Sequence, residues 1–101
     1  MIVKMITYDL PEGHDDTELV RCLEQYHDRL RLVHGTWLIR TDDDAAKVRD
    51  RLMPFLNDGD KLFVSELWGS WAGSYNLGEE ALTWLTHLEG IEQESLSNDL
   101  T

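Results

Sequence analysis

The apolar run Ile2-Val3-Lys4-Met5-Ile6-Thr7-Tyr8 leads straight into Asp9. A strand that ends on a lone carboxylate sets a charge at the rim of its sheet, where a metal ion can reach it. One carboxylate is a thin donor set, because Mg²⁺ takes one or two carboxylates together with waters and phosphate oxygens. Two copies in a symmetric dimer would bring two such acids to one ion. Asp9 also suits a turn, in which its side chain bonds the backbone amides around Pro11 to Gly13.

The other residues able to do chemistry are scattered. His14, His27, His34 and His87 show no metal-ligand spacing. His14 stands close to Asp9 in sequence and has the chemistry of a general base, although a loop histidine needs no such role. Cys22 reads as a small half-buried hydrophobe rather than a reactive thiol. Asp42-Asp43-Asp44 lacks the alternating ligands, central Gly and distant Glu of a calcium loop, and serves better as a helix start. Trp37, Trp68, Trp71 and Trp84 could stack on bases, but indoles inside apolar strands and helices belong more often to a core or an interface. Arg40 near a hairpin end could meet a phosphate, and as a surface strand residue it does not have to.

These side chains need elements to position them. Residues 2 to 8 form a first strand, ended by Pro11-Glu12-Gly13. A helix follows, with Asp15 as its cap and Glu18 at capping-box spacing. Leu19, Leu23, Tyr26 and Leu30 recur at helical intervals. From Arg29 the pattern alternates charged and apolar, so a strand begins near there. His34-Gly35 turns the chain, with Gly35 free to take a positive φ. Thr36 to Thr41 is the returning strand, rich in β-formers. Thr41 or an Asp of 42–44 caps a second helix, whose stripe is Ala45, Val48, Leu52 and Phe55-Leu56. Asn57-Asp58-Gly59-Asp60 is a turn, and Lys61 to Leu67 is the fourth strand.

The order βαββαβ is the split βαβ arrangement, an α+β fold of the ferredoxin-like kind. Two helices cover one face of a four-stranded antiparallel sheet. Beyond it, Trp68-Gly69-Ser70-Trp71-Ala72-Gly73 interleaves indoles and glycines and is expected to dock on the open face or on a second subunit. Asn76 is expected to cap a C-terminal helix bearing Ala81, Leu82, Trp84, Leu85 and Leu88. Residues 1–88 then make one domain, and 89–101 an acidic, flexible tail.

Composition limits the partners. The chain has 101 residues, 42% of them hydrophobic, which suits one domain with a modest core. A single cysteine excludes an intrachain disulfide. No apolar run approaches a membrane span, and the start lacks the order of a secretory signal, so a cytoplasmic protein is expected. The net charge is −11, from 20 acids against 9 bases. That balance disfavours nucleic acid, whose binding is driven by Lys and Arg releasing counterions, and it suits a basic protein partner. Alternatively the acids are segregated and leave a basic face elsewhere, since the arginines all lie between Arg21 and Arg51.

Four motifs in order carry a resemblance: Tyr8-Asp9-Leu10, Gly35-Thr36-Trp37-Leu38, Asp60-Lys61-Leu62-Phe63-Val64 and Trp71-Ala72-Gly73. Over roughly Met1 to Leu88 the chain resembles the SinR-like group of small bacterial and archaeal proteins. That group is similar to the Cas-two endonuclease of CRISPR spacer acquisition and to the VapD-like ribonucleases. The resemblance implies a ferredoxin-like homodimer. It also implies that Asp9 is the catalytic residue and the metal ligand, holding Mg²⁺ or Mn²⁺ near the dimer axis for cleavage of RNA or DNA. Tyr8 and Leu10 would frame that site, and Ser65 on a neighbouring strand would bond a metal-bound water. Two features depart from the nucleases: the acidic balance, and a Trp-rich turn with a helix where the adaptation protein carries a further strand. The alternative function is a non-enzymatic acidic module that binds a basic protein or mimics nucleic acid.

Overall fold

The computed structural model describes residues 2–11, 14–67 and 76–87. Its elements are β1 (Ile2–Asp9), α1 (Thr17–Leu23), β2 (Asp28–Val33), β3 (Thr36–Thr41), α2 (Ala45–Leu52) with a 3₁₀ turn at Met53–Phe55, β4 (Lys61–Leu67) and α3 (Glu79–Thr86). The strands form one sheet in the order β2-β3-β1-β4, with every neighbouring pair antiparallel. This is the expected α+β, ferredoxin-like arrangement. Among these residues no helix is long and apolar enough to cross a membrane.

β1 lies between β3 and β4, which explains its near-continuous apolar sequence. Side chains alternate across a strand. Ile6 and Tyr8 therefore join Trp37 and Ile39 of β3 in a core beneath α1 and α2, with Leu19, Leu23, Val48 and Leu52. Val3 faces the other way, with Leu38 and Leu30, and is covered by Ala81 and Leu85 of α3. The third helix thus closes part of the second face. At the Asp9 end of that face the sheet stays open: Phe63, opposite Thr7, is 62% exposed.

Several local expectations hold and others change. Asp44 caps α2, its Oδ1 accepting from the Lys47 amide at 2.8 Å. The hairpin and β4 form where expected. α1, however, ends at Leu23, and β2 starts at Asp28. Tyr26 therefore sits in the connecting turn and Leu30 on the opposite face of the sheet, not on a helical stripe. Pairing of β2 with β3 satisfies a row of backbone groups that one more helical turn would leave unpaired.

Asp15 accepts from the Thr17 amide at 3.0 Å, while Asp16 takes the cap position without a side-chain cap bond. The N-cap of α3 is Gly78 at φ 95°, not Asn76, which itself has φ 57°. Gly35 is needed for a different reason than positive φ. A Cβ there would lie 2.6 Å from the Tyr8 carbonyl oxygen, because Tyr8 N donates to Gly35 O at 2.9 Å. Residues 12–13, the Trp-rich segment 68–73 and the acidic tail 89–101 lie outside the described residues.

Candidate functional site at the end of the first strand

β1 delivers Asp9 to the rim of the sheet, opposite Lys61 of β4, and leaves it exposed. Beside it is a groove of about 300 Å³ lined by Tyr8, Asp9, Leu10, His14, Asp15 and His34, with Asp16 completing the wall. Tyr8 and Leu10 thus frame Asp9 as expected. The tight approach of Gly35 to Tyr8 holds the hairpin turn against β1 and places His34 in the same groove.

The acids of this groove are not equivalent. Asp16 Oδ2 accepts from the Tyr8 hydroxyl and from Arg31 Nη2, each at 2.9 Å. Desolvation pushes the Asp16 carboxyl up, but the Tyr8 hydroxyl and the Arg31 guanidinium together hold it below the ordinary value. Burial raises the Tyr8 phenol, partly offset by the Trp37 indole, whose Nε1 donates to the Tyr8 oxygen at 3.4 Å. Arg31 is fixed further by the His34 carbonyl, at 2.6 Å from Nη2 and 3.0 Å from Nε, and by the Trp37 ring at 5.4 Å. Asp15 is held below its ordinary value by the Thr17 amide. The Asp9 side chain makes no hydrogen bond or ion pair among the described residues, so its carboxylate is the one in the groove left to meet a ligand.

His14 does not turn towards Asp9 as a base would. Its Nδ1 meets Asp60 Oδ2 at 2.8 Å, tying the loop before α1 to the turn before β4. The Asp60 side chain is 1% exposed. Desolvation raises its carboxyl, yet the Asn57 amide at 2.7 Å and the His14 ring bring it below the ordinary value. Ser65 does not reach the site. It pairs with Met5, four residues before Asp9 and hence about 13 Å away along the strand. It shares a face of the sheet with Asp9, and the separation along the strand alone excludes it.

Other candidates have structural places. Trp37 is buried in the core under α1 and α2. Cys22 is buried there too. Arg40 meets Asp28 at 3.3 Å. Of the mid-chain bases, Arg31, Arg40, Lys47, Arg49 and Arg51 each pair with an aspartate.

Among the described residues no group of three or more His, Cys, Asp or Glu is arranged to hold a metal ion. The donor chemistry of Asp9 suits a hydrated Mg²⁺ or Mn²⁺ when a second copy adds its own Asp9. The cluster of Tyr8, Asp16, Arg31 and Trp37 was not legible as a site, because hydrogen bonds that join β1, β2, β3 and the start of α1 leave no spacing in the sequence. When the chain is compared with known proteins, no family model, no curated protein and no solved structure matches it.

Proposed function

We propose that the chain acts as a homodimer of the Cas-two-like kind, in which the Asp9 carboxylates of two protomers hold Mg²⁺ or Mn²⁺ for cleavage of a phosphodiester in RNA or DNA. The observation that carries this reading is the exposed Asp9 at the end of the central strand, unpaired among the described residues while its neighbours Asp15 and Asp16 are engaged. The ferredoxin-like sheet supports it, since it is the scaffold on which such nucleases are built. The ion, when bound, lowers the pKa of a coordinated water and offsets charge on the phosphate. Asp9 supplies the ligand. Tyr8, Asp16 and Arg31 fix the strand end that aims it, and Leu10 shields one side of the groove.

The test is cleavage of labelled RNA and DNA with Mg²⁺ or Mn²⁺ across a wide range of salt. Wild type is expected to cut. Asp9→Ala is expected to lose the activity while keeping its circular dichroism spectrum. A wild type that cuts neither substrate under any of these conditions overturns the enzymatic reading.

A second reading, a non-enzymatic acidic module for a basic protein partner, draws on a separate observation. A chain of net charge −11 spends five of its nine bases on internal ion pairs. Its outer field is therefore negative and attracts cations. This reading expects salt-sensitive binding of a basic partner that Asp9→Ala leaves intact.

A further inference from the structure

A groove of about 550 Å³ lies between α3 and the ends of β2 and β3. It sits at the other end of the sheet from Asp9: Arg40 pairs with Val3, about 20 Å along β1 from Asp9. On α3, Glu80, Trp84 and His87 follow at spacings of four and three, which puts them on one side of the helix, with Glu79 next to them. The sheet side contributes Asp28 and Arg40.

The polar groups of the sheet wall are arranged unequally. Asp28 is saturated, since Oδ1 accepts from Trp84 Nε1 at 2.9 Å and Oδ2 meets Arg40 Nη1 at 3.3 Å. Those contacts fix the half-buried indole and answer the charge of Arg40. Arg40 Nε, by contrast, is buried without a hydrogen-bond partner among the described residues. Glu79 and Glu80 stay exposed and make no ion pair among those residues. The groove thus offers an aromatic wall and two uncommitted carboxylates.

We propose that this groove docks an Arg or Lys side chain of a basic polypeptide partner, placed against Trp84 and flanked by Glu79 and Glu80. An aromatic ring attracts a cation that lies over its face, and carboxylates at the rim strengthen the attraction. A net charge of −11 steers cationic segments towards the surface and repels anions. The proposal rests on the reading of the chain as an acidic interaction module, and it adds where the partner sits. It does not involve Asp9.

The experiment titrates hexa-arginine into the full ¹⁵N-labelled chain and follows the indole N–H signals. The Trp84 signal is assigned by its loss in Trp84→Phe. A saturable shift of the Trp84 indole is expected, and added salt should weaken it. Glu79→Gln/Glu80→Gln is expected to weaken binding about tenfold or more. The charge-matched control Asp42→Asn/Asp58→Asn removes two exposed acids elsewhere and is expected to change it by less than about threefold, a screened long-range effect. Equal losses in the two double variants, or binding that leaves the Trp84 signal in place, would overturn the groove while sparing the acidic-module reading. No binding of hexa-arginine even at low salt would overturn both.

Discussion

The Tyr8 hydroxyl and the Asp16 carboxylate are joined by a 2.9 Å hydrogen bond that locks the end of β1 to the start of α1. The same phenolic oxygen accepts from Trp37 Nε1 and Arg31 Nη2, both at 3.4 Å. One hydroxyl of β1 is therefore tied to the start of α1, to β2 and to β3 beside Asp9. Tyr8→Phe keeps the ring in the core but strands the buried Trp37 N–H. We expect a loss of about 1–3 kcal/mol, the usual cost of an unsatisfied buried donor, measured by urea denaturation. A loss below about 0.5 kcal/mol would mean the bonds are not important for stability.

Acid and alkali should act through different groups. Asp16 and Asp60 have folded values below their unfolded ones. Each therefore binds a proton more readily when unfolded. Their contribution is present above the unfolded carboxylate range of about 4 and is lost as pH falls through the folded values. Tyr8 and Tyr26 are raised, chiefly by burial. Their contribution is intact below the unfolded phenol value of about 10 and disappears as pH climbs through the folded values. Denaturation midpoints measured from pH 2 to 11 should fall at both ends, and Asp60→Asn should make the acid limb shallower. An acid limb unchanged in Asp60→Asn would remove that residue from the account.

Gly35→Ala places a methyl 2.6 Å from the Tyr8 carbonyl oxygen, a backbone atom that cannot rotate away. The hairpin turn or β1 must shift, at about 1–3 kcal/mol by analogy with overpacked sites. For a domain of this size that is a drop in melting temperature of several degrees, about 4–8 °C per kcal/mol. Thermal unfolding at the wild-type midpoint would show that the close approach is relaxed at little cost.

Asp9→Asn should behave oppositely. The side chain is exposed and makes no hydrogen bond or ion pair among the described residues, so stability should change by no more than about 0.5 kcal/mol. Binding of Mn²⁺, followed by paramagnetic broadening of backbone signals near residue 9, should disappear. A strongly destabilised Asp9→Asn would identify the residue as a turn former.

Leu23→Ala should cost about 2–5 kcal/mol, because the side chain is fully buried beneath α1 and neighbouring atoms close only part of the resulting cavity. A guanidinium melt on both proteins gives the figure. A change below about 1 kcal/mol would indicate that α1 is loosely held.

Much of this protein was determined by short-range pattern. The apolar run at 2–8, the β-formers at 36–41 and Asp44 ahead of Ala45 each specify an element through interactions a few residues long, and those elements formed in that order. Tertiary structure decided what a local pattern cannot encode. Leu30 fits a helical stripe by spacing, yet strand pairing with β3 took it to the other face of the sheet. Gly35 reads as a turn glycine, but its role is set by a carbonyl 27 positions earlier in the chain. Asp16, Arg31 and Trp37 meet at the Tyr8 hydroxyl only because the sheet order places β3 beside β1 and β2 next beyond it. Hydrogen bonds and packing between residues distant in sequence depend on register and sheet order, and these are fixed when the whole core closes.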